Sequence, residues 1–92
     1  IVGTFASLTD LGGIEHIVNI EHIELPDCTN LSDISLLHSL WNLEYLDLSG
    51  CSPISTVSPL NTLTNITRLD MSSTNVSDVS PLSTLVDMTY LD

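Results

Sequence analysis

One set of apolar residues returns along the chain every 22 or 23 positions, and that return restricts the fold more than any local propensity does. A shift of 23 lays Ile20-Glu21-His22-Ile23-Glu24-Leu25 over Leu43-Glu44-Tyr45-Leu46-Asp47-Leu48, and then over Ile66-Thr67-Arg68-Leu69-Asp70-Met71. A shift of 22 carries the last of these onto Met88-Thr89-Tyr90-Leu91-Asp92. A truncated copy stands at the front, where Ile1-Val2-Gly3-Thr4-Phe5 falls on Glu24-Leu25-Pro26-Asp27-Cys28. The common unit is L-x-x-L-x-L, and its closing alternation is the period of a half-buried strand, with Leu46 and Leu48 inward and Tyr45 and Asp47 outward.

The rest of each unit repeats with a different step. Leu8, Leu11, Ile14 and Ile17 align with Leu31, Ile34, Leu37 and Leu40, then with Ile54, Val57, Leu60 and Leu63, then with Val76, Val79, Leu82 and Leu85. Apolar residues three apart fit a short helical or 3₁₀ segment that turns one stripe to the core. Each unit is therefore a strand, a bend and a helical return. Stacked units pair their strands in parallel and bury a core that no unit buries alone. The predicted architecture is a right-handed α/β solenoid, a horseshoe arc with parallel strands on its concave face and short α or 3₁₀ segments on its convex face. Residues 1–92 form a single repeat segment of about four turns: a partial one over 1–19, then 20–42, 43–65 and 66–87, and a partial one over 88–92. The extra residue of the 23-residue spacing falls in the bend before Leu31 and Ile54.

Ser58-Pro59 and Ser80-Pro81 read as an N-cap hydroxyl followed by proline at the first helical position. Asp10, Asp33 and Asp78, with Thr56 in the same place, are set to accept hydrogen bonds from freed backbone donors at that bend. Gly12-Gly13 weakens the first return and makes it the least regular.

The segment Val76-Ser77-Asp78-Val79-Ser80-Pro81-Leu82-Ser83-Thr84-Leu85, together with the L-x-x-L-x-L units, resembles the leucine-rich repeat family. Within it, the pattern is similar to the 22-residue class of bacterial internalin-like surface proteins and of the nuclear regulatory subunit of a serine/threonine phosphatase. The resemblance covers essentially the whole chain. It implies a protein-binding scaffold, and it favours the cell surface or secretion over cytoplasm or nucleus. Members of the family normally carry end caps, and neither is visible here. The chain reads as a piece of a longer protein. The resemblance also gives Phe5, Cys28, Cys51 and Thr74, which share one register, the inward place of an asparagine or cysteine ladder. Parallel stacking points the Cβ atoms of Cys28 and Cys51 the same way, which favours buried free thiols over a disulfide.

The repeat gives every outward residue an address. One concave column reads His22, Tyr45, Arg68, Tyr90, and a second reads Glu24, Asp47, Asp70, Asp92. Aromatic and arginine side chains are efficient interface anchors, and a line of carboxylates steers a basic protein partner. Against this stands the plainer reading, in which polar residues merely keep the strand face solvated. Carboxylates facing one another across parallel strands also cost stability, and Arg68 is placed to relieve part of that cost. Trp41, the only tryptophan, stands where convex return meets concave strand, either as a lateral anchor or as a cover over the next turn.

Composition narrows the function classes. Twelve acids against the single basic residue Arg68 give a net charge of −11, which repels phosphate backbones and removes the term that drives nonspecific nucleic-acid binding. No apolar run approaches the roughly 20 residues of a membrane span, and Ile1-Val2-Gly3-Thr4 lacks the basic start of a signal peptide, which leaves secretion open. Two carboxylates on adjacent strands can approach one divalent ion, yet nothing resembles an EF-hand loop, and His16 and His38 lie on the returns, away from His22. No metal site or cofactor is assigned. No nucleophile elbow, Ser/His/Asp cluster or phosphate loop is present, so the chain is read as non-enzymatic. Asn30, Asn65 and Asn75 begin N-x-S/T triplets, which matter only for a protein secreted by a eukaryotic cell. The leading expectation is a protein-binding module that uses its concave face. The alternatives are spacer turns of a longer solenoid, or the recognition segment of a larger enzyme or regulatory subunit.

An uncapped solenoid exposes apolar core and unpaired strand edges at its ends. The segment folded alone is expected to associate end to end or to melt at low temperature. Sedimentation over a concentration series checks this, and a monomer with a sharp cooperative melt would contradict it.

Overall fold

The computed structural model describes residues 19–85 and 88–92. Phe5, Asp10, Gly12, Gly13 and His16, with the other residues of the first partial turn up to position 18, lie outside it, as do Val86 and Asp87. The described chain runs through β1 (His22–Glu24), η1 (Ser35–Ser39), β2 (Tyr45–Asp47), η2 (Ser58–Thr62), β3 (Arg68–Asp70), η3 (Ser80–Thr84) and β4 (Tyr90–Leu91), where η marks a 3₁₀ helix. The strands form one parallel sheet in chain order. Its register pairs His22 with Tyr45, Tyr45 with Arg68, and Arg68 with Tyr90, as the repeat spacing requires. Parallel strands joined by 3₁₀ returns make a leucine-rich-repeat solenoid arc.

The core consists of columns running from turn to turn. Ile23, Leu46 and Leu69 form one, Leu25, Leu48 and Met71 the next, and Leu37, Leu60 and Leu82 line the side of the returns. Burying one such side chain contributes about 1.5–3 kcal/mol. Burial is complete in the turns flanked on both sides and falls away in the last described one, where Val79 is 56% and Leu91 53% exposed.

Why the returns are 3₁₀ follows from their length. Each has five residues, and each C-cap N–H closes a three-residue loop, Leu40 to Leu37, Leu63 to Leu60 and Leu85 to Leu82. That tight pitch puts leucines three apart on one side. Their starts differ from the sequence expectation. Ser58 and Ser80 are not N-caps. The caps are Val57 and Val79, and Ser58 and Ser80 are the first helical residues, followed by Pro59 and Pro81. The side chains one step earlier satisfy the freed donors: Asp33 Oδ1 accepts Ser35 N–H at 2.9 Å, Thr56 Oγ1 accepts Ser58 N–H at 3.3 Å, and Asp78 Oδ1 accepts Ser80 N–H at 2.9 Å. These backbone hydrogen bonds hold the carboxyls of Asp33 and Asp78 below the ordinary aspartate range.

The 23-residue spacing is absorbed where expected. Leu31 N–H reaches Cys28 O at 3.1 Å and Ile54 N–H reaches Cys51 O at 3.0 Å, each closing a four-residue turn around the extra residue. The shorter turn lacks that residue, and Asn75 N–H goes instead to Ile54 O of the preceding turn at 2.8 Å.

After each strand the chain must reverse sharply, and one register position takes the left-handed conformation: Asp27 at φ 59°, Gly50 at φ 74° and Ser73 at φ 58°. Aspartate and serine hydrogen-bond locally and tolerate this backbone, whereas glycine accepts it freely. A Cβ on Gly50 would strike Asp27 Oδ1 and lie 3.3 Å from Asp27 Cα. Gly50→Ala is therefore expected to lower stability by about 1–2 kcal/mol from the backbone conformation alone. A urea midpoint equal to that of the parent protein would show that the bend relaxes without cost.

Candidate functional site

A flat column runs across the strand face. The imidazole of His22 stacks on the ring of Tyr45 with centroids 4.1 Å apart and planes 6° from parallel. The Arg68 guanidinium lies 5.4 Å from the Tyr45 ring and 4.1 Å from the Tyr90 ring, held between the two tyrosines. Neighbouring parallel strands are about 4.8 Å apart, close to the stacking distance of planar groups, so the register itself places these groups face to face. Each cation–π contact at such an exposed site is worth about 0.5–1 kcal/mol. Arg68 was expected to relieve the carboxylates, and the geometry gives it another role: among the described residues it makes no ion pair, and its charge rests on the aromatic faces.

The second column stands where the register predicts. Glu24 pairs with Asp47 and Asp47 with Asp70, and Asp92 follows through backbone bonds to Leu69 O and from Met71 N–H. Like charges directly opposite one another are unfavourable. Part of that cost is offset by local hydrogen bonds. Asp47 Oδ1 accepts Ser49 N–H at 2.9 Å, and Asp70 Oδ1 accepts Ser72 N–H at 3.0 Å and Ser72 Oγ–H at 2.8 Å. Both aspartates thus start the bend as well as presenting charge, and among the described residues neither second oxygen takes a hydrogen bond. Glu24 Oε1 bonds His22 Nε2 at 2.9 Å, and Asp92 Oδ2 accepts the Tyr90 hydroxyl at 3.3 Å. The Asp92 charge, foremost, pushes the Tyr90 hydroxyl above the ordinary tyrosine range and keeps it a neutral donor.

A third outward column, Glu21, Glu44, Thr67 and Thr89, was missed at the sequence level, although it occupies the first x of L-x-x-L-x-L. Its carbonyls tie the turns. Glu21 O accepts the N–H groups of Glu44 and Tyr45, Glu44 O those of Thr67 and Arg68, and Thr67 O those of Thr89 and Tyr90. The flat column therefore lies between two lines that both carry acids.

Behind the bends, Cys28 and Cys51 are fully buried and free. Cys51 Sγ donates to Leu25 O of the preceding turn at 3.1 Å, and Thr74 Oγ–H donates to Met71 O at 2.7 Å. Trp41 does not cover the next turn, because 67% of it is exposed. Its carbonyl accepts Asn65 Nδ2–H at 2.9 Å, and Asn42 Nδ2–H donates to Asn19 Oδ1 at 3.3 Å, a run of asparagines one per turn. His38 is exposed on η1, where its carbonyl accepts the Thr62 hydroxyl at 2.9 Å, far from the strand face that holds His22. Among the described residues no group of three or more His, Cys, Asp or Glu is arranged to hold a metal ion, and no helix is long and apolar enough to cross a membrane.

Burial pushes the Cys51 thiol from its ordinary 9.0 up to about 11. Native protein is expected to leave Cys28 and Cys51 unmodified by a thiol reagent at about pH 8, with both reacting once denaturant unfolds the chain. The sign of the pH effect is fixed. The unfolded thiol loses its proton first, so the Cys51 contribution to stability is intact below 9.0 and is lost as pH rises from there to about 11. Labelling of the native thiols as fast as in denaturant would contradict the buried placement.

Residues 18–62 match the family described as leucine rich repeats, in two copies. No curated protein sequence matches the chain. Among solved structures, an internalin of Listeria monocytogenes, InlF, is 31% identical with a TM-score of 0.68 over 98% of this chain and 33% of its own. Internalin C2 of the same organism is 25% identical with a TM-score of 0.70 over 97% of this chain and 50% of its own. The chain thus spans about a third of the first relative and half of the second. The sequence repeat, the parallel sheet and these likenesses agree: the chain has a leucine-rich-repeat fold and is similar to the leucine-rich-repeat domains of internalins.

Proposed function

We propose that the chain is a non-enzymatic protein-binding module that holds a protein partner across its concave strand face, in a protein displayed on the cell surface or secreted. The observation that carries this reading is the preformed flat column His22–Tyr45–Arg68–Tyr90, set between acidic lines on a rigid sheet. Rigid aromatic groups contribute contact area with little entropy left to lose, which is the property of an interface anchor. The carboxylates Glu24, Asp47, Asp70 and Asp92 supply long-range attraction for a basic partner surface and act mainly on association rate. The likeness to internalins supports both the protein partner and the surface setting.

Asp47 and Asp70 hold the bends, so charge reversal there would confuse folding with binding. Asparagine keeps the acceptor oxygen and removes the charge. In pull-downs with the intact protein, Asp47→Asn with Asp70→Asn is expected to weaken capture most at low salt, and Tyr45→Ala with Tyr90→Ala to weaken it at all salt concentrations. Truncating an interface anchor typically costs about 2 kcal/mol, or roughly thirtyfold in affinity. Identical capture by the parent and both double variants, with unchanged circular dichroism, would exclude the strand face as the binding surface.

A further inference from the structure

Building on the strand-face reading above, we infer that Arg68 determines the specificity of that face, and that the protein partner meets it with a carboxylate carried beside basic side chains. The guanidinium has the Tyr45 ring on one side at 5.4 Å and the Tyr90 ring on the other at 4.1 Å. What it has left to offer is its edge of N–H donors. Arg68 is exposed, and among the described residues no carboxylate, carbonyl or hydroxyl accepts from that edge. Stacking sets the plane of the group before a partner arrives. A planar fork held in this way is matched by the two oxygens of one carboxylate, whereas a single carbonyl oxygen leaves donors unused.

Charge decides what must surround that carboxylate. An anion alone gains little here, because Asp70 stands two residues along the same strand, Asp47 lies beside Asp70 on the neighbouring one, and the whole chain carries −11. The acceptor therefore has to arrive with cations. Alternate residues of an extended segment are about 6.6 Å apart and point the same way, which is also the step from Arg68 to Asp70. A partner segment with an acidic residue and a lysine two positions apart sets opposite charge over both. Asp47 and Asp70 each keep an oxygen that the bend does not use, so both still accept from a lysine. The same arrangement selects against a uniformly basic segment. A lysine over Arg68 meets a like charge that the two rings hold in place.

Two end-blocked peptides separate this pairing from general attraction, Lys-Thr-Glu-Thr-Lys and Lys-Thr-Gln-Thr-Lys. Charge alone favours the glutamine peptide, which is the more positive of the two. Pairing with Arg68 reverses that order. Arg68 is the only arginine, so its Nε–Hε signal in the isotope-labelled full chain reports this edge alone. In a mildly acidic buffer that leaves the glutamate ionised, the glutamate peptide is expected to move that signal saturably and to bind about fivefold tighter than the glutamine peptide. Arg68→Gln, followed through backbone amide shifts, is expected to make the glutamine peptide the tighter one. Arg68→Lys keeps the charge without the planar fork and is expected to remove most of the preference for glutamate. Circular dichroism equal to that of the parent confirms the fold of both variants. Equal or tighter binding of the glutamine peptide by the parent chain overturns the inference while leaving the strand face a site for basic partners. A preference for glutamate that survives Arg68→Gln also overturns it. So does an Arg68 signal that neither peptide moves, and the pull-downs with the Asp47, Asp70, Tyr45 and Tyr90 variants then decide the wider reading independently.

Discussion

No single turn of this chain can bury its own leucines. Each strand has three or fewer residues in register, too few for an independent sheet, and each return has five. Stability comes from the neighbour above and below, through apolar columns that are completely closed in the middle turns and open in the last described one. Everything else in the structure depends on this. The turns have to stack at one spacing, and so every side chain on the strand face is brought within reach of its counterparts whatever its chemistry.

That enforced proximity acts in opposite ways on the two columns it creates. Flat groups gain from it, since the strand spacing suits stacking, and His22, Tyr45, Arg68 and Tyr90 form one continuous line. Carboxylates lose from it, and Asp47 and Asp70 recover part of the loss by accepting the N–H groups of Ser49 and Ser72. The same bonds turn the chain out of the strand and into the left-handed position at Gly50 and Ser73. Charge display and bend formation are thus one device, which is why aspartate rather than glutamate suits positions 47 and 70: its shorter side chain reaches the N–H two residues on.

The sequence made the scaffold legible because repetition samples one environment several times. Leu46 alone is an ordinary apolar residue; aligned with Ile23 and Leu69 it declares a column, and the strand pairing followed that alignment residue for residue. What repetition did not reveal was atomic direction. Ser58 and Ser80 were assigned as caps from their proline neighbours, yet a start one residue earlier hands the work to Thr56 and Asp78. Trp41 has no aromatic counterpart in the other turns, so no alignment could say whether its ring folds over the core or away from it. The line of Glu21, Glu44, Thr67 and Thr89 was legible in the spacing and was missed because its residues change type from turn to turn.

The placement of Arg68 decides the character of the strand face. An exposed ion pair and an exposed cation–π contact are both worth roughly 0.2–1 kcal/mol, so energy alone does not choose between Asp47 or Asp70 and the tyrosines. Geometry chooses. Tyr45 and Tyr90 flank Arg68 in its own register position on both sides, while the aspartates stand two residues along the strand with one oxygen already committed to the bend. A guanidinium pressed between two rings costs little ordering because its plane is already matched to theirs. The consequence is that the single strong base of the chain leaves the acidic column un-neutralised. The face keeps its negative potential and at the same time gains a rigid, flat surface, and those two properties are retained together only because the cation is held by the aromatic column instead of the carboxylates.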